Sequence, residues 1–281
     1  MWKGDCGGGR WTSSRKVVVF QLGAAVKPSL LNENRRDKLL RLIQLLNGLQ
    51  YSYLVVDSER SADDLSISDY SMLAEVCGQR STCTPILTIP VRRSDFHERF
   101  SEFLEVVSQH GVGGVCLVAG NPAYLDEHEL RVRPGRLILD ASAAFRGVAP
   151  HLPLMVGSEK IVKTALKASQ LYHAWPLILL NPGLHEELKL YDGLTAGVYA
   201  PFHISETLER DVSDRLQAYI SRRKTSLGFW EAVEAFSLAG GLWKIRQRVS
   251  RISEIGVDVL VGYPLDLSGE QLRRFAKVSR M

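Results

Sequence analysis

With 281 residues, 45% of them hydrophobic, the chain is long enough to bury one large core, so a single-domain fold is allowed. Its 35 basic and 31 acidic residues leave a net charge of only +4 with no basic tract, which argues against nucleic acid as a partner. No apolar run reaches about 18 residues and no signal-peptide pattern is present, so we expect a cytoplasmic protein that does not bind membranes.

The chain opens with a glycine-rich, polar segment that is predicted to be a disordered tail, residues 1–15, because it cannot bury enough surface to offset the entropy of ordering. From residue 16 to residue 281, short β-branched segments alternate with longer segments of helical period, which is typical of parallel strands joined by crossover helices. The eight predicted strands cover residues 16–22, 51–56, 85–91, 113–119, 152–156, 176–180, 196–199 and 257–261.

The predicted helices follow these strands in turn. Helical period is clearest in residues 32–49, where leucine and isoleucine recur at spacings of three and four, and further helices are expected from Ser68, Ser94, Lys160, His185, Ser205, Leu242 and Ser268. Residues 121–150 are the least regular stretch, because two prolines and a glycine interrupt them. We predict a long loop there, with one helix near residues 141–145.

Eight strands with eight crossovers predict a closed (β/α)8 barrel, the TIM barrel, over residues 16–281. An open doubly wound sheet is the alternative. No GxGxxG follows the first strand, which weakens the dinucleotide-binding form of that alternative.

In a barrel of this kind the ligand lies over the carboxyl ends of the strands, so the residues that end each strand are the site candidates. Neutral hydrogen-bonding groups and small residues predominate among them, and the nearby acids are Asp57 and Glu59. This set suits a planar, amide-bearing cofactor better than glycoside hydrolysis, which needs two acids across a cleft. The candidates are Gln21, Asp57, Thr88, Gly120, Asn121, Gly157, Ser158, Lys160 and Asn181.

Each candidate also has a purely structural interpretation. Asp57 could be a surface acid beside Arg60, while Thr88, Asn121 and Asn181 could serve only to cap loops. The turn from Gly157 to Lys160 offers backbone N–H groups and a positive charge to a phosphate, or it is an ordinary helix entry with Ser158 as the cap.

Metal chemistry is not indicated by the sequence. The four cysteines show no CxxC or Cys/His spacing, and we expect buried free thiols. The seven histidines are scattered without HxH or HExxH, and no GxSxG elbow marks a serine hydrolase. His203 lies near a strand end, where a satisfied surface histidine is the simpler interpretation.

Three segments resemble the bacterial-luciferase-like superfamily, and within it the deazaflavin-dependent methylenetetrahydromethanopterin reductases. Residues 255–264 (IGVDVLVGYP) are similar to the final strand of that family, and residues 153–157 (PLMVG) are similar to the strand before its phosphate-binding helix. Residues 179–182 (LLNP) resemble a further strand, and Asp57 falls where the family has a strand-end acid. The chain departs from the pattern at Ser58, at Gln21 and at Glu159–Lys160.

The resemblance implies a flavin- or deazaflavin-dependent oxidoreductase that transfers hydride to or from a pterin-like or other small organic substrate, as in one-carbon metabolism. It implies a deazaflavin coenzyme or FMN as cofactor and is compatible with a homodimer. Asp57 and Gln21 would be the catalytic residues, with Thr88, Gly120, Asn121 and Asn181 near the ring and Gly157, Ser158 and Lys160 at the phosphate.

Two alternatives stay open. Residues 84–93 (TPILTIPVRR) with Gly120-Asn121-Pro122 resemble methylenetetrahydrofolate reductase, a related flavin barrel. A cofactor-free barrel that has lost catalysis is the other alternative, because a fold alone does not fix function.

Overall fold

The computed structural model describes residues 21–31, 34–80, 82–223 and 225–280. The predicted tail, residues 1–15, and the beginning of the predicted first strand, residues 16–20, lie outside the described residues.

All the strands of the described chain pair in parallel in one sheet. They are β1 Gln21–Val26, β2 Tyr53–Val56, β3 Thr84–Pro90, β4 Gly114–Val118, β5 Leu154–Gly157, β6 Trp175–Leu179, β7 Gly197–Ile204, β8 Leu238–Gly240 and β9 Val259–Pro264.

Eight of these strands form a closed barrel. Strands β1 to β7 pair in chain order, and β9 closes the ring by pairing with β7 on one side and β1 on the other. The short strand β8 pairs only with the last residues of β7, from Phe202 to Ile204. The predicted TIM barrel is therefore confirmed, and the open-sheet alternative is wrong.

Helices surround the barrel, as expected for crossover connections. In the described residues they are α1 Arg35–Gly48, α2 Ile67–Arg80, α3 Phe96–His110, α4 Glu127–Arg131, α5 Pro134–Val148, α6 Val162–Tyr172, α7 Leu184–Lys189, α8 Arg210–Ile220, α9 Phe229–Phe236, α10 Leu242–Glu254 and α11 Gly269–Val278. None of these helices has the length and apolar character needed to cross a bilayer.

The predicted helix near residues 141–145 lies within α5, but the long loop predicted around it over residues 121–150 is wrong, because two helices occupy most of that stretch. Asp126 and Glu129 form a reciprocal capping box that starts α4. Pro134 is the first residue of α5, a position where its missing N–H costs no hydrogen bond. Proline and acidic residues therefore start helices here rather than interrupt them, and residues 137–139, strand-like in composition, lie inside α5.

The core has two layers that follow the two-residue period of the strands. Inward-facing side chains such as Val55, Ile86, Cys116 and Val261 fill the barrel interior. Their neighbours along each strand face outwards and pack against the helices in a larger core. This alternation decides which residues reach the carboxyl-end opening of the barrel.

A third, smaller core lies in the connection between β7 and β9. Helices α8 and α9 and strand β8 pack together there through residues such as Leu216, Ile220 and Val233. Between the helices, a 3-10 turn spans Ser221–Arg223. We call residues 210–223 and 225–236 the cap, because residues from this connection line the opening of the barrel.

The prediction of buried cysteines is confirmed for Cys77, Cys83 and Cys116. Cys6 lies outside the described residues. No group of three potential metal-ligating side chains occurs in the described part of the chain.

Candidate functional site

A cavity of ≈ 240 Å³ lies at the carboxyl ends of the barrel strands. Its floor is formed by the last inward-facing apolar side chains, including Val55, Cys116 and Leu177. Polar side chains line the cavity above this floor. They are Lys27 after β1, Asp57 and Glu59 after β2, Thr88 and Arg92 on and after β3, Asn121 after β4, Glu159 and Lys160 after β5, Tyr199 on β7 and Tyr263 on β9.

One side of the cavity, which we call the first wall, consists of Lys27, Asp57, Tyr199 and Tyr263. The Tyr199 hydroxyl donates a hydrogen bond to Asp57 Oδ2 at 3.4 Å, and Lys27 Nζ lies 3.8 Å from the same oxygen. Lys27 Nζ also lies 5.5 Å from the centre of the Tyr263 ring, and the rings of Tyr199 and Tyr263 stack at 6.3 Å. The polar groups of this wall are thus already bonded to one another.

Two carboxyl groups, Asp57 in this wall and Glu59 beside it, hold their protons more strongly than ordinary carboxyls. Burial raises the pKa of Asp57, and the nearby ammonium of Lys27 only partly opposes that effect. Burial, followed by the negative charge of Asp57, raises the pKa of Glu59 to about 7. At neutral pH the pair can therefore hold or release a proton inside the cavity.

The opposite side, the second wall, consists of Thr88, Arg92, Asn121 and Lys160. Arg92 Nε is buried without a hydrogen-bond partner, and Lys160 has no ion pair in the described part of the chain. The Asn121 side chain uses its oxygen to accept a hydrogen bond from the backbone N–H of Ala123. The cationic groups of this wall are thus not bonded to other protein groups.

Residues of the cap close over the mouth between the two walls. Arg222 donates a hydrogen bond to the Tyr124 hydroxyl at 2.6 Å, and its guanidinium lies 5.7 Å from the centre of that ring. Arg223 forms a 3.4 Å ion pair with Glu159 and lies over the Tyr219 ring. The cap is therefore bonded to the loops that follow β4 and β5.

The structure brings six of the nine predicted site residues into this cavity. Asp57, Thr88, Gly120, Asn121, Gly157 and Lys160 line it. Asp57 is bonded to Tyr199 on β7 and to Lys27 after the neighbouring strand β1, so it is not a surface acid paired with Arg60. Their roles toward a ligand stay predictions.

The predicted position of Gln21 at the carboxyl end of the first strand is wrong. Gln21 is the first residue of β1 and pairs with Val259, the first residue of β9, so it lies at the amino end of the barrel. Its side chain accepts a 2.6 Å hydrogen bond from the hydroxyl of Tyr53, which is the first residue of β2. We do not retain a catalytic role for Gln21.

Ser158 and Asn181 do not line the cavity. The Ser158 hydroxyl is buried and donates to Glu187 at 2.6 Å, while α6 begins only at Val162. The expected helix entry with Ser158 as its cap is therefore wrong. Asn181 holds its own loop by donating to the carbonyl of Leu179 and accepting from the backbone N–H of Gly183, which is the loop-capping alternative.

Several residues of the site were not among the predicted candidates. Lys27 was missed because the apolar run of β1 continues to Val26, beyond the predicted end at residue 22, and the two-residue period then places Lys27 inwards. Arg222 and Arg223 belong to the cap, and no strand-end pattern marks them.

His203 was expected at the surface, but it is buried in β7, and burial lowers its pKa.

Solved structures with a similar fold include several oxidoreductases. An F420-dependent tetrahydromethanopterin reductase from Methanopyrus kandleri has a TM-score of 0.65 at 15% identity, with 93% of this chain and 98% of that chain covered. An F420-dependent secondary alcohol dehydrogenase has a TM-score of 0.64 at 10% identity, with 94% and 99% covered. An EDTA monooxygenase from Chelativorans sp. BNC1 has a TM-score of 0.60 at 11% identity, with 93% and 92% covered.

These likenesses show the fold alone: the chain has a TIM barrel similar to the barrels of two F420-dependent enzymes and a monooxygenase. At 10–15% identity they do not establish an activity. No family model and no curated protein sequence matches the chain.

Proposed function

We propose that this protein is an oxidoreductase that binds a flavin or deazaflavin cofactor in the cavity and transfers hydride to or from a small organic substrate. The observation that carries the proposal is the composition of the cavity: five cationic side chains and three acidic ones surround an apolar floor. The cations are Lys27, Arg92, Lys160, Arg222 and Arg223, and the acids are Asp57, Glu59 and Glu159.

A flavin-type cofactor fits this donor set. Its planar ring needs an apolar floor with aromatic neighbours, which Leu177, Tyr199 and Tyr263 provide, and its phosphate needs cations. Lys160 is exposed beside Gly157, and an added Cβ at Gly157 would come within 2.9 Å of Val118. Glycine at that position therefore avoids a clash with Val118, another residue that lines the cavity, at the predicted phosphate-binding turn.

The cofactor would supply hydride transfer when bound. The residues of the chain would supply positioning and a proton. Burial raises the pKa of Asp57, which favours a proton on its carboxyl group, and the hydroxyl of Tyr199 fixes the orientation of that group. The cap residues Arg222 and Arg223 would limit the access of water to the reacting groups.

The first test is whether the purified protein binds such a cofactor. We expect a visible absorption band from bound flavin or deazaflavin, or, for cofactor-free protein, a rise in Tm of roughly 5 °C at about a hundredfold excess of FMN or deazaflavin over its Kd. The cofactor-free alternative predicts neither. The absence of both a band and a shift with either compound at saturating concentration would reject the proposal.

A variant pair locates the binding site. Lys160→Ala should weaken cofactor affinity by about tenfold, the usual scale for losing a hydrogen bond to a charged group. Lys163→Ala, at an exposed lysine that is the second residue of α6, is the matched control and should have no effect. Equal affinities for Lys160→Ala and the wild type would remove the phosphate assignment.

A further inference from the structure

Arg92 is an uncommitted cation in the cavity wall. Its Nε atom is buried without a hydrogen-bond partner, and no other hydrogen bond or ion pair of this side chain occurs in the described residues. Arg92 is half-buried, and a buried nitrogen without a hydrogen-bond partner costs free energy, so such atoms normally occur bonded. The adjacent Arg93, by contrast, forms a two-point ion pair with Asp64 at 2.7 and 2.8 Å and a further bond to Asp95.

The neighbours of Arg92 supply further free donors. Thr88 is the preceding polar residue on the inward face of β3, and its hydroxyl has no partner within the described ranges. Asn121 follows the adjacent strand β4; its oxygen is bonded to Ala123, which leaves the amide N–H groups available. Three donors of one strand pair therefore line one part of the cavity, and one of them carries a positive charge.

The acidic side chains of the cavity form no ion pair with Arg92 among the described residues. Lys27 and Arg223 are the cations that interact with Asp57 and Glu59. The cavity is therefore polarised, with protonatable carboxyls beside the first wall and a free guanidinium in the second. A ligand that matches this polarity carries one anionic group and presents a neutral, reacting part to Asp57.

We infer that Arg92, with Thr88 and Asn121, binds an oxyanion on the substrate, so that the substrate is a small carboxylate or phosphate ester bound with its reactive carbon toward Asp57. The planar guanidinium fork matches the two oxygens of such a group. The identification of this ligand as a substrate rests on the proposed function, but anion binding at the site itself needs no cofactor. It is also separate from Lys160, which the proposed function assigns to the cofactor phosphate.

The experiment uses three ligands that share one ring and differ in one group: benzoate, phenyl phosphate and neutral benzamide. Their binding to the full-length protein is measured by calorimetry, first without cofactor and then with FMN or deazaflavin present. We expect benzoate or phenyl phosphate to bind at least about tenfold more tightly than benzamide, and the tighter of the two identifies the oxyanion.

Variants then assign the preference to Arg92. Arg92→Gln should abolish the preference for the anionic ligands. Arg92→Lys keeps the charge but loses the planar fork, so it should retain part of the preference. It also provides a second test if Arg92→Gln fails to fold. Arg136→Gln is the matched control, because Arg136 is 91% exposed in its side chain. It should change nothing.

Three results would overturn the inference: equal binding of benzamide and both anions, no binding of any of the three, or a preference that survives in Arg92→Gln. A preference lost equally in Lys160→Gln would also overturn it, because the anion would then occupy the phosphate position. Because the first arm contains no cofactor, a failure of cofactor binding leaves the result interpretable. An anion preference without cofactor binding would support the anion site and reject the redox function.

Discussion

The two walls of the cavity differ in how far their polar groups are already bonded within the protein. On the first wall, Lys27, Asp57 and Tyr199 satisfy one another, and an aromatic stack supports them. On the second wall, Arg92 and Lys160 bring positive charge to the same cavity without a partner among the described residues. Groups that the protein already holds in place are suited to proton transfer. Cations without a protein partner are suited to binding an anionic ligand.

The largest expected effect tests the chemical role of the first wall. With a substrate that turns over, for which small carboxylates are the first choice, Asp57→Asn should lower kcat by about 10²–10⁴, the usual range for a group that transfers a proton. Cofactor affinity, measured by titration of the absorption band, should stay the same. Equal losses in kcat and in affinity would make Asp57 a structural residue instead.

The second effect compares the two walls directly through stability. Lys27→Met removes the cation that opposes the burial of Asp57, and should cost about 2 kcal/mol of unfolding free energy, less than for a fully buried pair because both side chains keep some exposure. Arg92→Met removes a charge that has no partner, so it should be neutral or stabilising.

Urea unfolding of both variants measures the difference. The Arg222→Met variant on the cap, which loses an exposed hydrogen bond to Tyr124, is a control of intermediate expected effect. If Arg92→Met destabilised the protein as much as Lys27→Met does, the distinction between a committed and an uncommitted wall would not hold.

The sequence allowed the barrel to be predicted because the two-residue and 3.6-residue periods are local. Seven of the eight predicted strands overlap their observed counterparts over most of their predicted length, but the first was predicted to end at residue 22, whereas β1 continues to Val26, because its apolar residues give no local sign of where it ends. Because of this error, Gln21 was predicted at the carboxyl end of the first strand, where Lys27 lies instead. Gln21 faces the barrel interior from the opposite end.

The candidate site was only partly predictable for a related reason. Inward-facing strand-end residues such as Asp57, Thr88 and Gly157 follow from local period. Arg222 and Arg223 reach the cavity through the tertiary packing of the cap on the barrel, and no sequence period encodes that contact. The hydrogen bond from the Ser158 hydroxyl to Glu187 in α7, which keeps Ser158 out of the cavity lining, likewise depends on tertiary structure.

The third effect concerns pH and the acid beside the first wall. The pKa of Glu59 is about 7 in the folded protein against 4.5 ordinarily, so the folded state binds this proton more strongly than the unfolded state does. The associated stability is fully present below about pH 4.5 and is lost as the pH rises through 7. Glu59→Gln, which cannot ionise, should therefore raise Tm at pH 8 by about 3 °C and change it little at pH 4.5.

Thermal denaturation of wild type and variant across pH 4.5–8 provides this measurement. Glu186→Gln serves as the control, because its carboxyl is exposed and its pKa is lowered by Lys189 rather than raised, so it should give no gain at pH 8. A difference between wild type and Glu59→Gln that does not depend on pH would show that the carboxyl titrates normally.

The smallest effect tests whether the second wall sacrifices stability for ligand binding. Lys160 adopts a left-handed backbone conformation with φ 61°, which costs a non-glycine residue about 1 kcal/mol. His173 has the same conformation, φ 51°, at the end of α6, outside the cavity. Lys160→Gly and His173→Gly should each stabilise the protein by about 0.5 kcal/mol, after the greater freedom of glycine in the unfolded chain is deducted. Only Lys160→Gly should also weaken cofactor binding, so a loss of affinity in both variants, or in neither, would separate the strained turn from any role in the site.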